Sequence, residues 1–286
     1  MKGDIILIYT NVAALTAYGH YKNNVSLFEK SLLRLSTGLR INTASDDPSG
    51  LAIADKLRTQ ASSIKQGIQN ANNGIAFIQI ADKAMSEQSR ILDLVKSKLI
   101  QAKSDTTSTE GKEAIKKDIH KLLVQLDNIA SQTNYNGITL LQKDANDITS
   151  SSLFTFQVGE SSQDTISTSG NVQSNTTGLG IDALKNISTL DSLSAGVWMS
   201  KIDDALSSLN VFRSDFGSTQ NQLESSVRFM RSKHTNLKKS ESLIRDVDYA
   251  QEFATLNRLR ILMIAGMYAL AQANKVQENM LKLLFK

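Results

Sequence analysis

Two aspartates, Asp46 and Asp47, stand directly before Pro48, the single proline of the chain. A pair of carboxylates is the minimum for general acid–base chemistry, one group holding a proton while its neighbour is ionised. Such chemistry requires the two side chains to converge on a substrate. Adjacent residues do not converge of themselves, and no histidine, lysine or ligand-spaced cluster lies nearby to complete a centre. The other candidates are as scattered. His20, His120 and His234 follow no metal-ligand spacing, and the absence of cysteine removes thiolate sites and disulfides. "GLGI", starting at Gly178, lacks the glycine spacing of a phosphate-binding loop. Arg245, Asp246 and Asp248 fall in "ESLIRDVDYAQE", where they read as salt bridges or caps at a joint between two helices. The residues therefore point to no catalytic group, no metal and no cofactor.

The element that the aspartates serve is a helix. Asp47 precedes a periodic apolar run and is placed to accept hydrogen bonds from the free N–H groups of a first turn. Pro48 at the first helical position gives up an N–H that would have no partner there, and its φ is already suitable. The negative charge also suits the positive end of the helix dipole. One proline in 286 residues is itself a sign of long uninterrupted helices, because proline is what helix interiors tolerate least.

Hydrophobic spacing shows how long these helices are. Leu57, Ile64, Ala71, Ile78, Met85, Leu92 and Leu99 recur every seven residues, and so do Ile202, Leu209, Phe216, Leu223, Met230, Leu237 and Ile244. Heptads of this kind mark helices that pack lengthwise, and some 45 residues of helix run roughly 70 Å. Both chain ends carry related stripes. Ala14, Tyr18, Tyr21, Val25, Phe28, Leu32 and Leu35 form one; Leu259, Leu262, Gly266, Ala269, Ala273, Val276, Met280 and Leu283 form another. A second stripe on the C-terminal helix holds Leu256, Met263, Met267, Leu270, Leu281 and Leu284. A helix apolar on two sides needs more than one neighbour, which argues for association between copies of the chain. A shorter helix is expected over Lys112–Ser131, with Ile115, Ile119, Leu122, Leu126 and Ile129 as its stripe.

The middle of the chain differs. Gln142–Gly180 holds 14 Ser/Thr in 39 residues with four glycines, too polar for a long helix. "LFTFQVG" (Leu153–Gly159) alternates as a strand does, and "NYNGITLL" (Asn134–Leu141) has an Asn-Gly turn before a β-prone run. A small β region between two helical arms follows. Net charge is +4, but from Ser226 to the C-terminus 11 Lys/Arg face 5 Asp/Glu. A basic helical nucleic-acid binder would need those cations on one face with aromatics for stacking. Arg228, Arg231, Lys238 and Lys239 are instead interrupted by heptad apolar positions, so no nucleic-acid partner is expected. No stretch reaches the ~18 apolar residues of a membrane span. "IILIY" (Ile5–Tyr9) has neither the length nor the cleavage site of a secretory signal.

Several long motifs resemble bacterial flagellins: "TNVAAL" (Thr10–Leu15), "LSTGLRINTASDDPSGLAIADKLR" (Leu35–Arg58), "NNGIAFIQIADKAM" (Asn72–Met85), "ESLIRDVDYA" (Glu241–Ala250) and "AQANKVQENMLKLL" (Ala271–Leu284). The resemblance covers roughly residues 10–142 and 200–286. It implies a mainly α subunit that assembles with copies of itself into the flagellar filament. The expected layout has 1–47 as the N-terminal inner (D0) helix and connector, and 48–142 as N-terminal rod (D1) helices and the start of the β region. A short Ser/Thr-rich β/loop region at 143–190, a C-terminal rod helix at 191–244 and a C-terminal inner helix at 245–286 complete it. Bulky outer D2/D3 domains are expected to be missing, since only about 60 residues separate the arms.

The resemblance assigns Val25, Phe28, Leu32, Leu35, Leu262, Ala269, Ala273, Val276, Met280 and Leu283 to inner-layer packing. Leu57, Ile64, Ile78, Met85, Leu92, Leu99, Ile202, Leu209, Phe216, Leu223, Met230 and Leu237 fall to the rod. It implies export through the flagellar type III apparatus without a cleaved signal, and a filament cap, hook-junction proteins and an export chaperone as partners. O-linked glycans on Ser/Thr between Ser150 and Thr177 are expected on the same ground. In receptor-activating relatives an arginine and a glutamate three residues later contact an innate-immune receptor; here those positions fall on Leu94 and Ser97. Departures include Phe253, Leu259, Ile264 and Met267, where relatives more often carry small or polar residues. A hook–filament junction protein shares the N-terminal motif and often reads Asp-Asp-Pro there, but the C-terminal motif favours a filament subunit.

Overall fold

The computed structural model describes residues 10–284 apart from 145, 169 and 171, and apart from the side chains of 281, 283 and 284. The N-terminal "IILIY" and the side chain of Leu283 therefore lie outside the described residues. Five α-helices dominate: α1 (Val12–Thr37), α2 (Pro48–Lys103), α3 (Thr109–Gln132), α4 (Ser192–Arg245) and α5 (Tyr249–Leu284). Four short strands, β1 (Asn134–Tyr135), β2 (Ile138–Thr139), β3 (Thr155–Gln157) and β4 (Thr165–Ser167), and one 3-10 turn (Asp182–Leu184) fill the middle. The helices outrun the heptads: α2 has 56 residues and α4 has 54, each on the order of 80 Å long.

The chain divides into two compact units. One joins the two chain ends, up to Thr59 and from Asn236 onward; the other is Gln60–Thr235. The second has a continuous apolar core. Ile64, Ala71, Ile78, Met85, Leu92 and Leu99 of α2 are buried there with Ile202, Leu209, Phe216, Leu223 and Met230 of α4. Each such large side chain contributes about 1.5–3 kcal/mol when fully removed from water. From α3 come Ile115, Ile119, Leu123, Leu126 and Ala130. Ile115, Ile119 and Leu126 are the expected positions; the other two shift by one residue, so Leu122 and Ile129 are half-buried at the edge of the stripe. With leucines at both 122 and 123, the sequence satisfies either register.

Two hairpins sit on α2. The first is the Asn-Gly turn expected from sequence. Asn136 and Gly137 have φ of 51° and 82°, as a two-residue turn between antiparallel β1 and β2 requires. The second pairs β3 with β4 through Thr155↔Ser167, Phe156↔Ile166 and Gln157↔Thr165. Two glycines of α2, seven apart, let it approach closely. A Cβ on Gly67 would lie 2.4 Å from the Val158 carbonyl oxygen, and one on Gly74 would lie 2.8 Å from the Phe156 ring. Phe77, one turn on, meets Tyr135, Phe154 and Phe156 edge-on with centroids at 6.0, 4.6 and 5.7 Å, fastening both hairpins to the helix.

The polar segment after β4 is held by side chains rather than by a ladder. Asp127 of α3 accepts from the Thr176 N–H (2.8 Å), the Thr176 hydroxyl (2.9 Å) and the Lys185 ammonium (2.5 Å). Buried Gln88 of α2 donates to the carbonyls of Leu126 and Ser174. Among the backbone groups reached, the Thr176 N–H and the Ser174 carbonyl lie outside any helix or strand and are satisfied by these side chains.

Candidate functional site

The opening aspartates act as caps. Asp47 Oδ1 accepts the Gly50 N–H at 2.9 Å, and the Asp47 carbonyl accepts from Leu51. Pro48 is the first residue of α2. Asp46 points back instead, accepting the N–H groups of Asn42 (3.2 Å) and Thr43 (3.0 Å) and the Thr43 hydroxyl (3.1 Å). The Thr43 N–H does most to hold the Asp46 carboxyl below its usual range; burial opposes it, and the Asn42 N–H and Thr43 hydroxyl assist. The two carboxylates thus serve separate backbone turns. Among the described residues no group of three or more His, Asp or Glu is gathered around a possible metal position, and no helix is long and apolar enough to cross a membrane.

What remains is the helix pair made by the chain ends. The Asn11 side chain caps α1 through the Ala14 N–H, and its amide donates to the Ala273 carbonyl of α5 at 3.1 Å. Gly266 lies against Tyr21. Ser31, buried on α1, donates to Glu252 Oε1 at 2.5 Å, with Arg34 4.0 Å from the same carboxylate. At the far end α1 stops at Gly38, whose φ of 72° is the left-handed cap that glycine takes without strain.

The chain then crosses the α4–α5 joint as a short antiparallel bridge. Arg40 N–H donates to the Arg245 carbonyl (2.6 Å), Val247 N–H donates to the Gly38 carbonyl (3.0 Å), and the Arg40 guanidinium reaches the Ile244 carbonyl (2.6 Å). Arg245 also pairs with Asp55 at 3.6 Å. Asp248 Oδ1 accepts the Ala250 and Gln251 N–H groups to begin α5. Of the joint residues read from sequence as bridges and caps, Arg245 pairs and Asp248 caps, whereas the Asp246 carboxylate accepts from the Ser242 hydroxyl.

The seam covers only part of the apolar surface of either helix. On α1 it takes Ala14, Tyr21, Val25, Phe28, Ser31 and Leu35, all buried or half-buried. On α5 the covered positions run Glu252, Leu256, Leu259, Met263, Gly266, Leu270, Ala273 and Gln277, steps of four and three that draw on both stripes read from sequence. Leu262, Ala269, Val276 and Met280 are exposed, as are Leu32, Leu15 and Tyr18 on α1. Of the residues where this chain departs from the resemblance, Leu259 is buried while Phe253, Ile264 and Met267 stay exposed. Rod positions Leu57 and Leu237 are half-buried, and Leu94 and Ser97 lie on an exposed face of α2. Apolar side chains in such number along both helices exceed what a lone soluble chain normally leaves wet.

The N-terminal helical region of bacterial flagellin matches residues 8–146, and the C-terminal helical region matches 199–284. The flagellar filament 33 kDa core protein of Treponema phagedenis is 32% identical, over 98% of this chain and the whole of that one. The chain belongs to the bacterial flagellin family. It is a structural subunit of the flagellar filament. Flagellin B of Helicobacter pylori strain J99 is 46% identical over 57% of this chain and 30% of its own, longer one. A solved flagellar hook-associated protein from Vibrio parahaemolyticus shares the fold, with a TM-score of 0.58 and 13% identity over 70% of this chain and 99% of that one. The C-terminal match, which includes α5, supports the filament subunit over the junction protein and the nucleic-acid binder.

Proposed function

We propose that the exposed faces of α1 and α5 are the contact between copies in the inner layer of the filament. The observation that carries this reading is the seam itself: one chain covers Leu259, Gly266 and Ala273 but leaves Leu262, Ala269, Val276 and Met280 in water. In this reading residues 1–47 and 245–286 form the D0 layer, 48–142 and 191–244 the D1 layer, and 143–190 the outward β/loop surface. The subunit works by packing, without a catalytic step. It leaves the cell through the flagellar type III apparatus and meets an export chaperone, hook-junction proteins and the filament cap on the way to an extracellular filament.

Polymerisation measured by sedimentation tests the interface. Met280→Asp places an unpaired carboxylate in the contact, and its desolvation costs at least several kcal/mol; this variant should not form pelletable filaments. Lys282, exposed and paired with Glu278 at 2.7 Å, is the control, and Lys282→Asp should polymerise with little loss. Equal behaviour of the two variants would overturn the proposed register. Removal of Leu256–Lys286 should abolish filaments while Gln60–Thr235 stays helical.

A further inference from the structure

A cavity of about 280 Å³ on the surface of the Gln60–Thr235 unit is lined entirely by cationic or titratable side chains: Lys116, Lys117, His120 and Lys121 of α3, and Lys185 just past the 3-10 turn. The four α3 residues form two rows at i,i+4 spacing, so all four share one helix face. Two of the ammonium groups are held. Lys116 contacts Glu113 (2.9 Å) and the Ser188 carbonyl (2.9 Å); Lys185 contacts Asp127 (2.5 Å) and Asp182 (3.2 Å). The Lys185 carbonyl meets His120 Nδ1 at 3.1 Å, so this nitrogen carries the proton and donates. Lys117 and Lys121 are exposed, and among the described residues neither has a carboxylate within ion-pair distance. A concave surface with two free ammonium groups beside two held ones can meet several oxyanions at once.

We propose that this hollow binds a polyanionic glycan, a polysaccharide bearing sulfate or phosphate esters. The residue types choose among polyanions. No aromatic side chain lines the hollow, so it offers no stacking platform for the bases of a single-stranded nucleic acid. No apolar side chain lines it either, so nothing there would enter the acyl region of an anionic membrane. Every strong cation in it is lysine rather than arginine. Lysine presents a point charge with three rotatable donors on a flexible stem, which suits oxyanions of variable spacing better than one fixed planar phosphate. The contact is distinct from the α1 and α5 faces used in assembly and does not depend on that reading.

The test is binding of the full-length dissociated subunit to immobilised heparin at low and physiological salt, with a phosphorylated mannan as the phosphate-ester counterpart. Lys117→Gln/Lys121→Gln should weaken binding roughly tenfold or more at low salt, each lost charge-assisted contact being a sizeable fraction of that factor; the difference should narrow as salt screens it. The control is Arg228→Gln/Arg231→Gln, which removes the same charge from exposed positions of α4 and should leave binding within about twofold of the unmodified chain. Both pairs are solvent-exposed, so unchanged far-ultraviolet circular dichroism is expected for all variants. Heparin and the mannan distinguish sulfate from phosphate esters; binding of either supports the site if the lysine pair governs it. Equal losses in the two double variants would reduce the effect to net charge and overturn the proposal. So would unchanged binding in the lysine variant, or a length-matched oligonucleotide or phosphatidylserine vesicles bound more tightly than both glycans.

Discussion

Ser31 and Glu252, 221 positions apart in sequence, meet through a 2.5 Å hydrogen bond inside the α1–α5 seam. The serine is 2% exposed, and it is a polar residue where the surrounding stripe is apolar. Its hydroxyl satisfies a carboxylate that also lies at the start of α5, where negative charge suits the helix dipole. Ser31→Ala should therefore weaken the seam by about 1–2 kcal/mol, the cost of a buried charged acceptor losing one donor. Hydrogen exchange would report this as faster exchange in α1 and α5 and unchanged rates between Gln60 and Thr235. Uniform acceleration across the chain would count against a local role.

Two glycines in long helices should respond oppositely to alanine. Gly67→Ala brings a methyl group within 2.4 Å of a backbone oxygen, which cannot swing aside as a side chain can. The β3–β4 hairpin must shift, at about 1–3 kcal/mol. Gly217 has open space where a Cβ would stand, so Gly217→Ala should stabilise α4 by up to ~1 kcal/mol through helix propensity. Thermal melts of the dissociated subunit check both signs.

Both the heptads and the Asn-Gly hairpin were legible in the sequence because each has a local cause. Seven-residue recurrence of apolar residues requires lengthwise helix packing, and Asn136-Gly137 supplies the positive φ that its turn needs. Strand β4 was not legible: Thr165–Ser167 is three residues long and owes its place to Phe156 and Phe77 from elsewhere in the chain. The seam of α5 was legible only as two overlapping stripes, since Leu259 and Leu262 are equally apolar and only the partner's position separates them. The lysine hollow has no signature in the sequence, because Lys185 joins α3 across 65 residues and spacing along one helix does not reveal that.

The turn before α2 should weaken in acid. The folded Asp46 carboxyl lies below its ordinary range, whereas the unfolded group titrates near ~3.9. Its stabilising contribution is thus complete above the unfolded value and is lost as pH falls through the lower folded one. Urea denaturation from pH 6 to pH 2 should show this loss, and Asp46→Asn should flatten it while lowering stability at neutral pH. Asp47→Ala should cost about 1 kcal/mol at neutral pH through the lost cap.

The monomer should be a poor agonist of the innate-immune receptor for flagellin. Leu94 is 54% exposed but lacks a guanidinium, and exposed Ser97 lacks a carboxylate. The lysines beside them are engaged, Lys96 with Asp203 at 2.5 Å and Lys98 with Asp118 at 3.1 Å, so either would have to give up an ion pair to replace the arginine. Two missing charge-assisted bonds at ~1.5–3 kcal/mol each weaken binding about a hundredfold or more. A reporter-cell titration of the unmodified chain against Leu94→Arg/Ser97→Glu should show a gain in the double variant. Full potency in the unmodified chain would refute the reading.

Any O-linked sugar on the middle segment should respect burial. Ser152, Thr155, Ser161, Ser162, Thr165, Ser167 and Thr177 are exposed; Ser151, Thr168, Ser174 and Thr176 are buried. Peptide mapping of native filaments should find modified residues only in the first group. A glycan on Thr176, whose hydroxyl is bonded to Asp127, would contradict the fold there.

The pairing of the two chain ends also sets an order of events. Asn11 reaches across 262 residues to Ala273 and Ser31 across 221 to Glu252, so α1 lacks its helix partner until the last helix has been made. Residues Gln60–Thr235 contain the partners of their own core and can close before α5 is made. Closing so large a loop carries a conformational-entropy cost that only the completed seam can offset. A subunit emerging from a ribosome, or from any conduit too narrow for a folded helix pair, keeps its first helix without its partner until its final residues are free. Timing is thereby written into topology: the segment proposed to join neighbouring subunits is the last to close upon itself.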